Sequence, residues 1–237
     1  MMTKLLYWYD SYLKEFNARV IEIVENKIVL DQTIFHPRSG GVVNDIGKII
    51  YKGEEYNVTD VYKENNKIFH VLDKLPSFNI GDIIYGIIDW DRRYRLMRLH
   101  TAAHIISAIL YRDYNAFITG GEITPDYGRD DYSISSEDWK NAFEDAIRKA
   151  NDIIKIGIPV KIYFLKREEA MKIPGIIKLL ERAPPDMEEW RIVEIENIDI
   201  QADGGPHVSN TKEIGEIKIM KLENKGKNKK RLYFTLK

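Results

Sequence analysis

The stretch "RLHTAAHIIS", residues 98–107, places two of the chain's five histidines, His100 and His104, four residues apart. On a helix, residues i and i+4 share a face one turn apart, so the two imidazoles can point at one ion. In the metalloprotease pattern a glutamate follows the first histidine and serves as general base. Here that position is Thr101, which argues against a protease of that type. Such a pair is often incidental, so further ligands have to be found elsewhere.

The segment "DIQADGGPHVSNT", residues 199–211, supplies them. It follows a strong β-like run, and Gly204-Gly205-Pro206 forces a tight irregular turn. Asp203 and His207 flank that turn, and a loop leaving a strand end can aim both at the helix. His100, His104 and His207 then offer three imidazole nitrogens, and Asp203 offers a carboxylate oxygen. Three protein ligands with one open position are the pattern of a catalytic zinc site. Spacing leaves Asp203 three roles: ligand, acceptor for a bound water, or orienting group for a histidine. Gly204 and Gly205 shape the turn, and their N–H groups can also donate to a substrate oxyanion.

Composition narrows the chemistry. The chain has 237 residues, 44% hydrophobic and 31% charged, and no cysteine. Disulfide scaffolds and thiolate zinc sites are therefore excluded, and any metal must be held by nitrogen and oxygen. No apolar run approaches the roughly 18 residues that cross a bilayer. The start has no small-residue cleavage site. A cytoplasmic protein is expected. Net charge is −1, so a nucleic-acid partner would have to be held by local basic patches. Two exist: "DRRYRLMR", residues 91–98, and "KGKNKKRLYFTLK", residues 225–237. A solvated helix start and a solvated hairpin turn are the alternative reading of both.

The elements that must position these groups fall into two sets. Residues 17–90 alternate β-rich runs with turn signals: "ARVIEIV", "KIVL", "GKIIY", "EEYNVTDVY", "KIFHVLD" and "GDIIYGIID". This spacing predicts a small antiparallel barrel. The loop "FHPRSGGVVNDIG", residues 35–47, interrupts it. The character changes at Trp90-Asp91, so domains are predicted at 1–90 and 91–237. Asp91 can cap a helix to Tyr111, with Leu96, Leu99, Ala103, Ile106 and Leu110 on one stripe. Ile105 and Ile109 lie opposite, which predicts burial all round the second half. His100 and His104 sit on the flank of the stripe, near Ser107 and Tyr111. Beyond it, "AFITGGEIT" and "GRDDYSI" read as strands. A helix is predicted over 136–156, opened by "SSED" as a capping box. "PVKIYFLKR" follows as a strand and "EEAMKIPGIIKLLER" as helical pieces. "WRIVEIENIDIQ", "EIGEIKIMKLE" and "RLYFTL" complete an α+β pattern.

Taken in order, "FHPRSGGVVNDIG", "HTAAH", "ITGGEITPDYGRDDYSI" and "DGGPHVSNTKEIG" resemble the editing domain of alanyl-tRNA synthetases and its freestanding relatives, the AlaX proteins. That family pairs an H-x-x-x-H helix with a C-G-G-x-H or D-G-G-x-H loop. It also has a glycine-rich barrel loop, usually F-Y-P-x-x-G-G-Q and then D-x-G. Here Asp203 stands where many members have Cys, and Pro206 where Thr is common. Val42 replaces the usual Gln and His36 the usual Tyr.

The resemblance implies a small N-terminal β-barrel joined to an α+β editing domain shared with threonyl-tRNA synthetases. It implies the freestanding, medium-length type, with one zinc ion and the acceptor end of alanine tRNA as partner. The implied reaction is hydrolysis of the ester that joins serine, or glycine, to that tRNA. Thr101 is then the candidate partner for the serine hydroxyl, and its alternative is a bond back to the helix carbonyl at residue 97. Arg38, Gly40 and Gly41 are expected to approach the acceptor end, with Arg38 reaching a phosphate. Arg92 and Arg93 are expected to bind the tRNA. His36 and His70 are expected to be structural or surface residues. Two other functions fit the same residues. One is a metal-dependent esterase or amidase that needs no tRNA. The other is a tRNA-binding module without catalysis, its metal site disabled by Asp203.

Overall fold

A computed structural model describes residues 3–135, 137–174, 176 and 187–237. The chain divides into two compact units, the first ending at Arg95 and the second starting at Leu96. The division falls inside a helix that opens at the predicted boundary.

The first unit contains β1 (Lys4–Leu5), β2 (Glu15–Val24), β3 (Lys27–Leu30), β4 (Gln32–Thr33), β5 (Gly47–Tyr51), β6 (Glu54–Glu64), β7 (Lys67–Leu72) and β8 (Ile83–Ile88). Six of them close a barrel in the order β2-β3-β7-β6-β5-β8, each pair antiparallel. Alternate residues point inward: Phe16, Ala18 and Val20 on β2, Tyr56 and Val58 on β6. The sharp hairpins use positive φ at Glu25, Lys52, Gly53, Asn65 and Asn66, which matches the twist of the strands they join. The core gathers Phe16, Ile28, Ile34, Phe35, Ile49 and Tyr56. His70 is fully buried within it, its Nε2 2.8 Å from the Thr33 hydroxyl. Burial pushes its imidazole down to about 4. His36 is also buried, edge-on to Tyr7. His70 thus belongs to the barrel core, and His36 is buried in the loop between β4 and β5.

The second unit takes most of α1 (Trp90–Tyr114), then β9 (Phe117–Ile123), β10 (Gly128–Ser133), α2 (Trp139–Ile156), β11 (Val160–Lys166), α3 (Arg167–Ala170), β12 (Glu189–Ile195), β13 (Asp199–Ala202), β14 (Ile217–Asn224) and β15 (Lys229–Leu236). Two antiparallel sheets result, ordered β14-β15-β10-β9 and β11-β12-β13. The α+β reading of this half is borne out. Every residue of α1 from Leu99 to Leu110 is buried, as its two-sided apolar pattern requires.

Some expectations need correction. The first turn of α1 is capped by Asp89, whose Oδ1 accepts the Arg92 N–H at 3.1 Å; Asp91 is already helical. α2 begins at Trp139, and the Asp138 side chain makes no capping bond. Ser136, part of the predicted capping box, lies outside the described residues. So does most of the predicted helical stretch beyond Pro174. "WRIVEIENIDIQ" is a hairpin of β12 and β13 that turns through Asn197 at φ 61.

Candidate metal centre

Helical spacing sets His100 and His104 one turn apart on α1, with ring centroids 5.0 Å from each other. The third imidazole comes from the loop after β13. That loop is anchored at its start, where the Asp203 N–H donates to the Arg191 carbonyl at 3.1 Å. The buried Arg191 guanidinium reaches under the turn, and its Nη1 donates to the carbonyls of Asp203 at 2.8 Å and Gly205 at 2.9 Å. Within the turn, Asp203 Oδ1 accepts the Gly205 N–H at 2.7 Å. The loop then approaches the helix so closely that a Cβ at Gly205 would stand 2.6 Å from His100 Cε1. Only glycine fits there.

His100, His104, Asp203 and His207 come together, each offering one donor atom, with all four atoms within 4.8 Å of one another. Asp203 Oδ2 lies 3.7 Å from His100 Nε2 and 3.9 Å from His104 Nε2. Its Oδ1 lies 3.2 Å from His207 Nε2. The opposite ring nitrogens are all engaged. His104 Nδ1 meets Asp199 Oδ2 at 2.9 Å, His207 Nδ1 meets Thr101 Oγ1 at 3.0 Å, and His100 Nδ1 meets the Pro206 carbonyl at 3.4 Å. With hydrogens placed on Nδ1 by those acceptors, three Nε2 lone pairs face one point, as in metal-binding histidines with oriented rings.

Electrostatics agrees with that arrangement. Burial, partly offset by Asp203, pushes the His100 imidazole down to about 4. Burial, reinforced by His100, holds His207 well below its ordinary value. Burial opposes charge on Asp203, yet His100, His207 and His104 hold its carboxyl well below the usual carboxylate range. Neutral imidazoles at His100 and His207 beside an ionised Asp203 are protonation states that metal binding requires.

Thr101 is fully buried, and its hydroxyl is saturated. It donates to the Met97 carbonyl at 2.9 Å, the bond back to residue 97 that the sequence offers as an alternative. It accepts from the Val208 N–H at 3.3 Å and faces His207 Nδ1. One donor and two acceptor positions exhaust a hydroxyl. Sequence reasoning passed over Asp199 and Arg191. The one signal for Asp199 was its place four residues before Asp203, on the same face of an extended segment.

The predicted tRNA-contacting residues separate sharply. Arg93 is fully buried. Its Nε lies 3.0 Å from Asp45 Oδ1, Nη1 donates to the Ser11 carbonyl at 3.1 Å, and Nη2 meets both Asp45 and the Ile34 carbonyl. Asp45 in turn accepts the His36 N–H at 2.6 Å. Arg93 therefore ties the glycine-rich loop down inside the first unit, and its assignment to tRNA is corrected. Arg92 is half-buried and donates to the Asn44 carbonyl at 3.1 Å. Arg38 is exposed, paired with Asp60 at 2.5 Å and set over the Tyr62 ring at 5.8 Å. Gly40 and Gly41, at φ 59 and 87, form the tip of the loop between Ser39 and Val42. In the tail, Lys230 turns back to Asn224 and the Gly226 carbonyl.

Comparison with known proteins gives this arrangement its class. Residues 190–233 match the threonyl and alanyl tRNA synthetase second additional domain, and residues 7–92 match the class II (A) tRNA synthetases. The fold is thus of the alanyl- and threonyl-tRNA synthetase editing type. The alanyl-tRNA editing protein AlaX-M of Saccharolobus solfataricus is 53% identical over 238 residues, covering 100% of both chains. That of Methanosarcina barkeri is 43% identical over 242 residues and 99% of each chain. An alanine–tRNA ligase of Sulfurisphaera tokodaii is 40% identical over 227 residues, 93% of this chain but 25% of the ligase. The chain belongs to the AlaX-M alanyl-tRNA editing family. Among the described residues no helix is long and apolar enough to cross a membrane.

Proposed function

We propose that this chain hydrolyses the ester between a wrong amino acid and alanine tRNA, with serine as the principal target and glycine as a second. The observation that carries this reading is the convergence of three imidazole Nε2 atoms and one carboxylate on a single point. His100, His104 and His207 would hold a zinc ion. Asp203, kept ionised, suits a metal ligand better than a general base, whose pKa should lie near the working pH. When bound there, zinc supplies Lewis acidity and lowers the pKa of water toward neutrality.

The protein's own groups do the rest. Asp199, Thr101 and the Pro206 carbonyl fix the three rings, and Arg191 fixes the loop that brings His207 in. The Gly205 N–H is committed to Asp203, so the half-buried Gly204 N–H is the donor left for an oxyanion. Arg38, exposed beside the Gly40-Gly41 tip, suits a phosphate of the acceptor end, and Arg92 supports that loop. The reaction belongs where alanine tRNA is charged, in the cytoplasm.

The test is hydrolysis of serine-, glycine- and alanine-charged alanine tRNA, with and without a chelator. Serine release that stops on chelation and returns with zinc supports the reading. Release of small esters or amides at equal efficiency without tRNA would replace it with a general hydrolase. Binding of tRNA without any release would make the chain a binding module.

A further inference from the structure

Asp130 lies in the middle of β10, with Asp131 beside it on the opposite face of the strand. Asp131 is paired with Arg231 at 2.6 Å and Lys229 at 3.2 Å. Asp130 is 2% exposed and has no cation within pairing distance among the described residues. Its Oδ2 accepts one hydrogen bond, from the Tyr132 hydroxyl at 3.3 Å. Tyr132 in turn meets Ser107 Oγ at 2.8 Å. Ser107 is three residues beyond His104 on α1, and residues three apart are neighbours on a helix. The carboxyl therefore lies on the sheet face that this part of α1 covers, near enough for His104 to act on it electrostatically.

The other oxygen, Oδ1, sits over Gly121 on the neighbouring strand β9, where a Cβ would stand 2.7 Å away. Any side chain at 121 would press on it. A carboxyl buried without a cation is costly to keep charged. Desolvation outweighs its Tyr132 bond and pushes it up to about 7. A purely structural acceptor for Tyr132 could have been an amide with no such penalty. The complement of this group is a small cation delivered from outside, and an aminoacyl ester carries one, its α-ammonium.

We propose that Asp130 receives the α-ammonium group of the aminoacyl ester and so selects substrates whose amino group is free. The inference rests on the editing reading of the same site. Tyr132 and Ser107 orient the carboxylate, and the missing side chain at Gly121 leaves room for its Oδ1. Aminoacyl esters blocked on nitrogen by an acyl group lack the charge and are disfavoured.

Binding separates this from hydrolysis. The probes are 3′-deoxy-3′-serylaminoadenosine, its N-acetyl form, and the analogue with hydroxyl in place of the amino group, each measured by calorimetry. The wild-type protein should bind the free amine at least about tenfold more tightly than either neutral analogue, the scale of one charge-assisted hydrogen bond. Asp130→Asn, which keeps shape, should reduce that preference to within about twofold and leave the neutral analogues unchanged. Equal weakening of all three ligands would make Asp130 structural and overturn the proposal. So would a wild-type preference under twofold, whatever the variant does. A protein that cleaves seryl-tRNA without preferring the amine loses this inference alone. One that prefers the amine without cleaving loses only the editing reading.

Discussion

His104 Nδ1 lies 2.9 Å from Asp199 Oδ2, and Gln201 Nε2 donates to the same oxygen at 2.9 Å. The carboxylate is buried at the start of β13, so the ring it holds has little freedom to turn. Replacing it should loosen the metal without touching a ligand. Asp199→Asn is expected to lower zinc affinity by about ten- to a hundredfold, the usual effect of losing such an outer partner. Titration against a competing chelator measures this. Unchanged affinity in a folded variant would mean that His104 is not a ligand.

Thr101→Val should act through His207, not through the substrate side chain. The variant keeps shape but leaves the Val208 N–H and the His207 Nδ1 hydrogen without their acceptor. Leaving a buried donor unpaired costs about 1–3 kcal/mol. Hydrolysis of serine- and glycine-charged tRNA should fall together, with their ratio within about twofold of wild type. A fall confined to the serine substrate would place the hydroxyl against the substrate after all.

The Arg93–Asp45 pair is a stability element of the first unit. Removing one partner of a buried ion pair strands the other and costs about 3–5 kcal/mol, whereas replacing both by apolar groups is often neutral. Arg93→Met is expected to lower the urea midpoint sharply. Adding Asp45→Leu should recover most of the loss. If Arg93→Met instead weakens tRNA binding at unchanged stability, the residue is part of the tRNA surface.

His70 predicts an acid-side loss of stability. It is neutral in the folded barrel down to about 4, against an ordinary value of 6.5. Below pH 6.5 the unfolded chain binds a proton that the folded chain does not, so stability falls as pH falls toward 4. Over that window the loss reaches about 3 kcal/mol for this one group. His70→Gln can still meet Thr33 and should flatten the slope. Urea unfolding of both proteins at pH 6.5 and 4.5 gives the comparison, and parallel slopes would rule His70 out as the cause.

Much of the fold was legible because local chemistry and long-range packing agree. The barrel strands lie between Gly and Asn turns, and their inward positions alternate with period 2. The helix of His100 and His104 showed its burial in apolar residues on both sides. The convergence of His100, His104, Asp203 and His207 was legible because two short segments each carry two such groups four residues apart. What was hidden depends on tertiary placement. Arg93 sits in a run of basic residues at a helix start, where arginines are ordinarily solvated. Only the fold brings Asp45 and three backbone segments around it. Asp199 and Arg191 carry no spacing that distinguishes them from strand-flanking charges. Thr101 offered two equally ordinary partners, and the identity of its third neighbour, His207, is a contact across more than a hundred residues.

Asp203 has one more consequence. Many relatives of this type are expected to present a thiol at that position, and a thiol is the group that peroxide converts stepwise to sulfenic and then irreversible acids. A carboxylate has no such ladder. With no sulfur among its four converging donors, the centre lacks the redox liability of a cysteine ligand. Oxidative stress would have to reach it by displacing a ligand or attacking a ring, both slower than touching an exposed thiolate. Exchanging a soft thiolate donor for a hard carboxylate thereby protects the site against oxidants.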